Sequence, residues 1–208
     1  YTIKIPNNID IKITINKVST IKNYTYDKIL NYNDFCYLLM YKNTDEDKAI
    51  CLKIYFNEDE TELLELLTVL EEILKTNQPP FYFIDLHTTS SKTLPFITIN
   101  DALINRKFSE QFPVPIVLGI EEYLNGPLLS YINKMGYVSL GFESGQHDDF
   151  SAITNSIAFV YLALVYSGVL KEEAVINFKK YHEQLKEQAN KNNTVFEVVY
   201  LHKIKKNE

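Results

Sequence analysis

The chain has 208 residues, 46% hydrophobic and 23% charged, which is enough for one well-buried domain, or one domain with an appendage, and argues against overall disorder. A formal net charge of -6 and a pI near 5.3 argue against a nucleic-acid or anionic-membrane surface, since basic residues gather only near the end, at 202 to 206. No apolar run approaches the roughly 18 residues of a membrane span, and the start carries no basic-then-apolar signal pattern.

Residues 9 to 16 alternate isoleucine with polar side chains, the period of a strand with one wet face. Two denser apolar runs, 35 to 41 and 49 to 56, read as more buried strands on either side of an acidic turn. They hold Cys36 and Cys51 without CxxC spacing, so buried thiols in a reducing compartment, and hence a cytoplasmic location, are expected. Asn57 with Glu60 resembles a capping box, and Leu63, Leu64, Leu67, Leu70 and Leu74 share one face of the helix that follows. Pro79 and Pro80 end that helix and force an extended entry into a strand at 81 to 86.

A short strand at 96 to 99 leads to Asn100, expected to cap a helix of about ten residues. A strand at 114 to 118 runs into Gly119, Glu121 and Glu122, whose acidity a helix dipole suffices to explain for at least one of the pair. The Gly126-Pro127 turn starts a helix closed by Gly136, and 137 to 142 is a strand whose loop is FESGQHDD. A long apolar helix spans about 151 to 166, an amphipathic one about 171 to 189, and a terminal strand about 195 to 204. Strands alternating with helices predict an α/β fold with a mixed, largely parallel central sheet flanked by helices. Residues 1 to 190 are expected to form one α/β catalytic-type domain, and 194 to 208 to start a truncated C-terminal β region.

The chemistry gathers at two strand ends: Asp85 and His87 before the hydroxyls of Thr88 and Thr89, and Glu143, Gln146, His147, Asp148 and Asp149. If both strands run the same way in one sheet, His87 and Glu143 face one cleft although 143 minus 87, or 56, positions separate them. A histidine ligand beside an unliganded glutamate is what a zinc hydrolase needs, the glutamate carrying a proton from water to the leaving nitrogen. Asp85 is open between orienting a ligand and bonding nearby amides. His147 is open between binding substrate or metal and an exposed ion pair with Asp148 and Asp149. His182 and His202 are expected to be solvated.

The blocks FIDLHTTSS, PFITIN, VPIVLGIEEYLNGPLLSYINKMG and GFESGQHDD, within roughly residues 57 to 170, resemble the succinylglutamate desuccinylase and aspartoacylase family. The resemblance implies a zinc carboxypeptidase-like fold, zinc as cofactor, His87 as its third ligand, and Glu143 as the general base. Asp85, Thr88, Thr89, Gln146 and His147 are the candidates for supporting the ligand or contacting substrate. The implied activity cleaves the amide of a small N-acyl amino acid. A metallocarboxypeptidase-like peptidase, and a non-catalytic binding paralogue that has lost the metal, are the alternatives.

The family's H-x-x-E zinc motif, from a Gly-rich early loop, is not found: no histidine precedes His87, all six glycines fall at or after Gly119, and Arg106 is the only arginine. Two explanations stand, a Gly-rich segment missing between about residues 35 and 57, and true loss in a degenerate paralogue. The intact DLHTT and FESGQH blocks favour the first.

Overall fold

The computed structural model describes residues 2–5, 9–12, 34–42, 47–55, 60–123 and 128–202, with side chains from residue 67 onward, 122 excepted. Strands β1 (Thr2–Ile5) and β2 (Ile9–Lys12) pair antiparallel as a small sheet, so the alternating run does form a strand over its described residues. β3 (Asp34–Lys42) and β4 (Asp47–Tyr55) form an antiparallel pair whose ladder runs unbroken from Asp34 opposite Tyr55 to Lys42 opposite Asp47. Cys36 and Cys51 lie on this pair, Cys51 opposite Leu38; their thiols are outside the described side chains.

Helix α1 (Glu60–Thr76) leads to β5 (Phe81–Thr89), β6 (Phe96–Ile99), α2 (Leu103–Ser109) and β7 (Ile116–Leu118). After a 3-10 turn at Glu121–Tyr123 come α3 (Leu128–Lys134), β8 (Val138–Gln146), α4 (Phe150–Tyr166), α5 (Phe178–Gln188) and β9 (Val195–Glu197). The main sheet has the order β4-β3-β5-β8-β6-β7-β9. β5–β8, β6–β7 and β7–β9 are parallel, whereas β4–β3, β3–β5 and β6–β8 are antiparallel. This is the expected mixed α/β sheet flanked by helices, with parallel pairing at its centre between the two strands that carry the candidate residues.

Alternation along the strands sorts the side chains onto two faces. Phe81 and Phe83 of β5 pack with Leu70 and Ile73 of α1 and Ile132 of α3. Ile84 of β5 and Leu140 and Phe142 of β8 point the other way, into the larger core with α4 and α5. There Phe142 stacks on Phe159 with centroids 3.9 Å apart, and Phe159 on Phe112 at 4.4 Å, which fixes α4 against β8.

Several boundaries differ from expectation for local reasons. Asn100 does not cap α2; Ala102 holds the N-cap position, and Asn100 instead accepts bonds at its carbonyl from the Ala102 amide and the Asn105 side chain. Asp149 caps α4, its carboxylate accepting from the Ser151 amide at 2.8 Å. The helix expected over 171 to 189 divides into a 3-10 turn at Glu172–Ala174 and α5, because the chain between them drops Val175 into the core at 5% exposure. From residue 195, where a separate β region was expected, β9 adds a strand to the edge of the main sheet beside β7.

Candidate functional site

Both site strands run further than their apolar runs. β5 continues past residue 86 through His87 and Thr89, and β8 past 142 through Glu143, Ser144 and Gln146, so these residues, expected beyond the strand ends, belong to the sheet. β5 and β8 are parallel and in register, with Asp85 opposite Gly141 and His87 opposite Glu143. Paired residues on adjacent strands project from the same face. His87 and Glu143 therefore meet, as their separate positions in the chain suggested they would.

The imidazole lies between two carboxylates. His87 Nε2 is 2.8 Å from Asp85 Oδ1, and His87 Nδ1 is 3.8 Å from Glu143 Oε1. The first contact is at hydrogen-bond distance and joins the ring to the carboxylate. Asp85 thus faces Nε2 of the ring and Glu143 faces Nδ1. The register and faces of the rest follow from four residues. Phe142 anchors in the core, Glu143 turns to the site, and the Ser144 hydroxyl donates to the His87 carbonyl at 2.9 Å. Gly145 adopts φ +124°, which L side chains avoid, where the ladder slips between His87 and Thr89. From α4, buried Asn155 donates to the Ser144 carbonyl at 3.0 Å, tying helix to site.

A further carboxylate is buried against Thr98, which pairs with Gly141, the partner of Asp85, in one row across the sheet. Gly119, at φ +88°, turns the chain back after β7, and Glu121 ends 6% exposed, its Oε1 accepting from Thr98 Oγ1 at 3.4 Å. Glu121 does lead a helical turn, the 3-10 turn Glu121–Tyr123, but it is buried there. Its only sequence signal is position, an acidic pair just after an apolar strand and a glycine.

The electrostatics reflect this crowding. Burial pushes the Asp85 carboxyl above its ordinary range, opposed by His87. Burial and then the charge of Asp85 raise Glu121, against the pull of Thr98 and His87. Burial raises Glu143 too, with His87 opposing and Asp85 adding. For His87 burial acts downward, but the Asp85 contact and the charges of Asp85, Glu143 and Glu121 outweigh it, and its net shift is upward. Among the described residues, Asp85 Oδ1, Glu121 Oε2 and Glu143 Oε2 are buried without a hydrogen-bond partner. No group of three His, Cys, Asp or Glu among the described residues is placed to hold a metal, so these residues do not by themselves make a zinc site.

The other candidates fall outside the cluster. Thr88 alternates to the opposite face from His87, and its hydroxyl lies 2.6 Å from Nδ1 of exposed His147, whose amide donates to the Thr89 carbonyl. His147 thus fastens β5 to the end of β8. The Thr89 hydroxyl is engaged by the Ser91 carbonyl and Thr93, and Gln146 is placed by pairing with Thr89. Arg106 pairs with Asp101 at the surface. His182 contacts Glu183, and His202 contacts Tyr200.

Neither family models nor curated proteins match the chain. Among solved structures it is similar to a succinylglutamate desuccinylase/aspartoacylase from Rhodobacter sphaeroides, at 21% identity and a TM-score of 0.35. The match covers 42% of this chain and 28% of that one. No helix among the described residues is long and apolar enough to cross a membrane.

Proposed function

We propose that the protein is a zinc-dependent hydrolase that cleaves the amide bond of a small N-acyl amino acid. The observation that carries this reading is the imidazole of His87 held between Asp85 and Glu143, on two parallel strands whose sequence blocks resemble the deacylase family. Zinc at His87 Nδ1 would polarise the scissile carbonyl and acidify water. Asp85 holds the ring so that Nδ1 faces the substrate side. Glu143, its Oε2 unpartnered and its carboxyl raised by burial, takes a proton from water and returns it to the leaving nitrogen. Ser144 and Asn155 keep the two strands in the register this needs.

One observation favours a second reading. The described residues do not complete a metal shell, as expected of a binding paralogue that keeps the cleft without catalysis. The peptidase alternative needs an arginine to hold a terminal carboxylate, and Arg106 is engaged elsewhere. Metal analysis and a screen of N-acetyl, N-succinyl and other N-acyl amino acids on the full-length protein decide between enzyme and binder. Glu143→Gln is expected to retain zinc while turnover falls about 100- to 10,000-fold. Full-length protein that takes up no zinc refutes the hydrolase.

A further inference from the structure

We propose that Asn155 is a positioning residue: acting through Ser144, it fixes where Glu143 stands relative to His87 at the point where β8 leaves the ladders on both its sides. This rests on the hydrolase reading above, in which Glu143 carries the proton.

Glu143 is the last residue of β8 that is paired on both sides, with His87 of β5 and with Phe96 of β6. Among the described residues the β6 ladder goes no further. On the β5 side the register then slips: Thr89 lies opposite Gln146, where continued pairing from His87 and Glu143 would put Gly145. One residue of β8 is thereby left over as a bulge, and Gly145 at φ +124° supplies the backbone it needs. A bulge disrupts ladder bonds and re-aims the strand beside it. Side chains take the place of the ladder here. The Ser144 hydroxyl donates to the His87 carbonyl at 2.9 Å, and Asn155 Nδ2 donates to the Ser144 carbonyl at 3.0 Å. Asn155 is fixed in turn, its Oδ1 accepting from Gln184 Nε2 of α5 at 3.4 Å. Ala152, on the same helix, backs the bulge, its Cβ 3.8 Å from where a Gly145 Cβ would lie.

Packing alone does not ask for an amide at this position. The other buried residues of α4 are Ala152, Ala158, Phe159, Leu162, Ala163 and Leu164, all apolar, and asparagine is a weak helix former. What the amide supplies is a donor for a carbonyl on a fully buried residue, one position beyond Glu143. Without it the Ser144 carbonyl is left unpaired, and the backbone turns to find a partner, carrying Glu143 with it. The Ser144 hydroxyl passes the same constraint to His87, so one amide ties both members of the pair. His87 Nδ1 and Glu143 Oε1 are 3.8 Å apart, and a misplacement of about 1 Å at such a pair costs on the order of 100-fold in rate.

The test is Asn155→Leu in the full-length protein, which keeps the volume and removes the donor. Urea stability is measured beside kcat and KM on an N-acyl amino acid that the wild type turns over, and beside the nitrogen NMR resonances of the His87 ring at one fixed pH. The expected result is a kcat about 10- to 100-fold lower, a KM changed less than about threefold, and a shift of the His87 ring resonances. Val114→Ala, a buried change in the core away from the site, should lower stability and leave kcat and the ring unmoved, which separates positioning from stability. Ser144→Ala removes only the hydroxyl that reaches the His87 carbonyl. It should lower kcat in the same way, and it decides the matter if Asn155→Leu does not fold. Either a kcat within about twofold of wild type or an unmoved His87 ring overturns the positioning role and leaves the hydrolase reading standing. Wild-type protein that turns over no N-acyl amino acid overturns the hydrolase reading instead. The ring resonances then decide the positioning role by themselves: unmoved in Asn155→Leu they overturn it, and moved there but not in Val114→Ala they uphold it.

Discussion

Gly141→Ala tests the geometry of the site row directly. The new methyl would lie 2.5 Å from Thr98 Oγ1, with Leu129 Cδ1 at 3.6 Å and Thr98 Cβ at 3.8 Å, so the whole conflict is with one hydroxyl. Thr98 is 5% exposed and β-branched, so it has little freedom to rotate, and rotation breaks its bond to Glu121. Overpacking of this kind costs about 1–3 kcal/mol. Against it stands the gain of about 0.4–1 kcal/mol from stiffening the unfolded chain, available because Gly141 is not among the positive-φ glycines. The net expectation is a loss of roughly 0.5–2 kcal/mol. Thr98→Ala alone loses a buried methyl and one long hydrogen bond, about 1–2 kcal/mol. Combined, the clash disappears but the entropic gain remains, so the double variant should be more stable than the sum of singles by about 1–3 kcal/mol. Urea unfolding of all four proteins, with unchanged slopes, measures this coupling. Strict additivity would show that position 141 and the Thr98 hydroxyl do not meet, and would remove the row on which Glu121 is placed.

The remaining predictions concern protonation and the strand ends. Asp85, Glu121, Glu143 and His87 all have raised pKa values, so each adds stability that is present below its unfolded value and lost as pH climbs through its folded one. The losses begin above 3.8 for Asp85, above 4.5 for the two glutamates and above 6.5 for His87. Asp101 and Asp149, lowered by Arg106 and by the Ser151 amide respectively, act below 3.8 and lie outside this window. Metal-free protein should therefore melt at lower temperature as pH rises from about 5 to about 8, and zinc should stabilise it more as pH rises, since ligands bind metal deprotonated. A metal-free melting temperature that increases across that range contradicts the buried carboxylate cluster. His147→Ala removes an exposed contact with Thr88 but keeps the amide bond to Thr89, so stability should change by less than about 1 kcal/mol and turnover by less than about threefold. A loss of turnover approaching that of Glu143→Gln would place His147 in the chemistry instead.

The parts of this fold legible in sequence are those decided by apolar periodicity. The helix with Leu70 on its buried face, the 96 to 99 strand and the centrally packed apolar helix after residue 150 follow from burial that adjacent residues announce, although Ile73 rather than Leu74 is the more buried of the two. The ends of β5 and β8 are not legible in the sequence, because the expected strands, 81 to 86 and 137 to 142, end with their apolar runs. In the sheet, pairing continues through His87 and Glu143, since ladder bonds depend on the backbone and not on side-chain polarity. Local preference and final structure part company at the residues that carry the chemistry.

Glu121 was hidden for a different reason. A search for ligands at the carboxyl ends of parallel strands works for β5 and β8, and it correctly joined His87 to Glu143. β6 and β7 run the opposite way, so the end of β7 lies away from the site, and only the Gly119 turn brings residue 121 back over Thr98. Strand direction in a mixed sheet is settled by long-range pairing, which no stretch of local sequence contains. The acidic pair after Gly119 therefore has two equally good readings until the pairing of β6 with β8 is known, and the structure buries one of its carboxylates against Thr98 of β6.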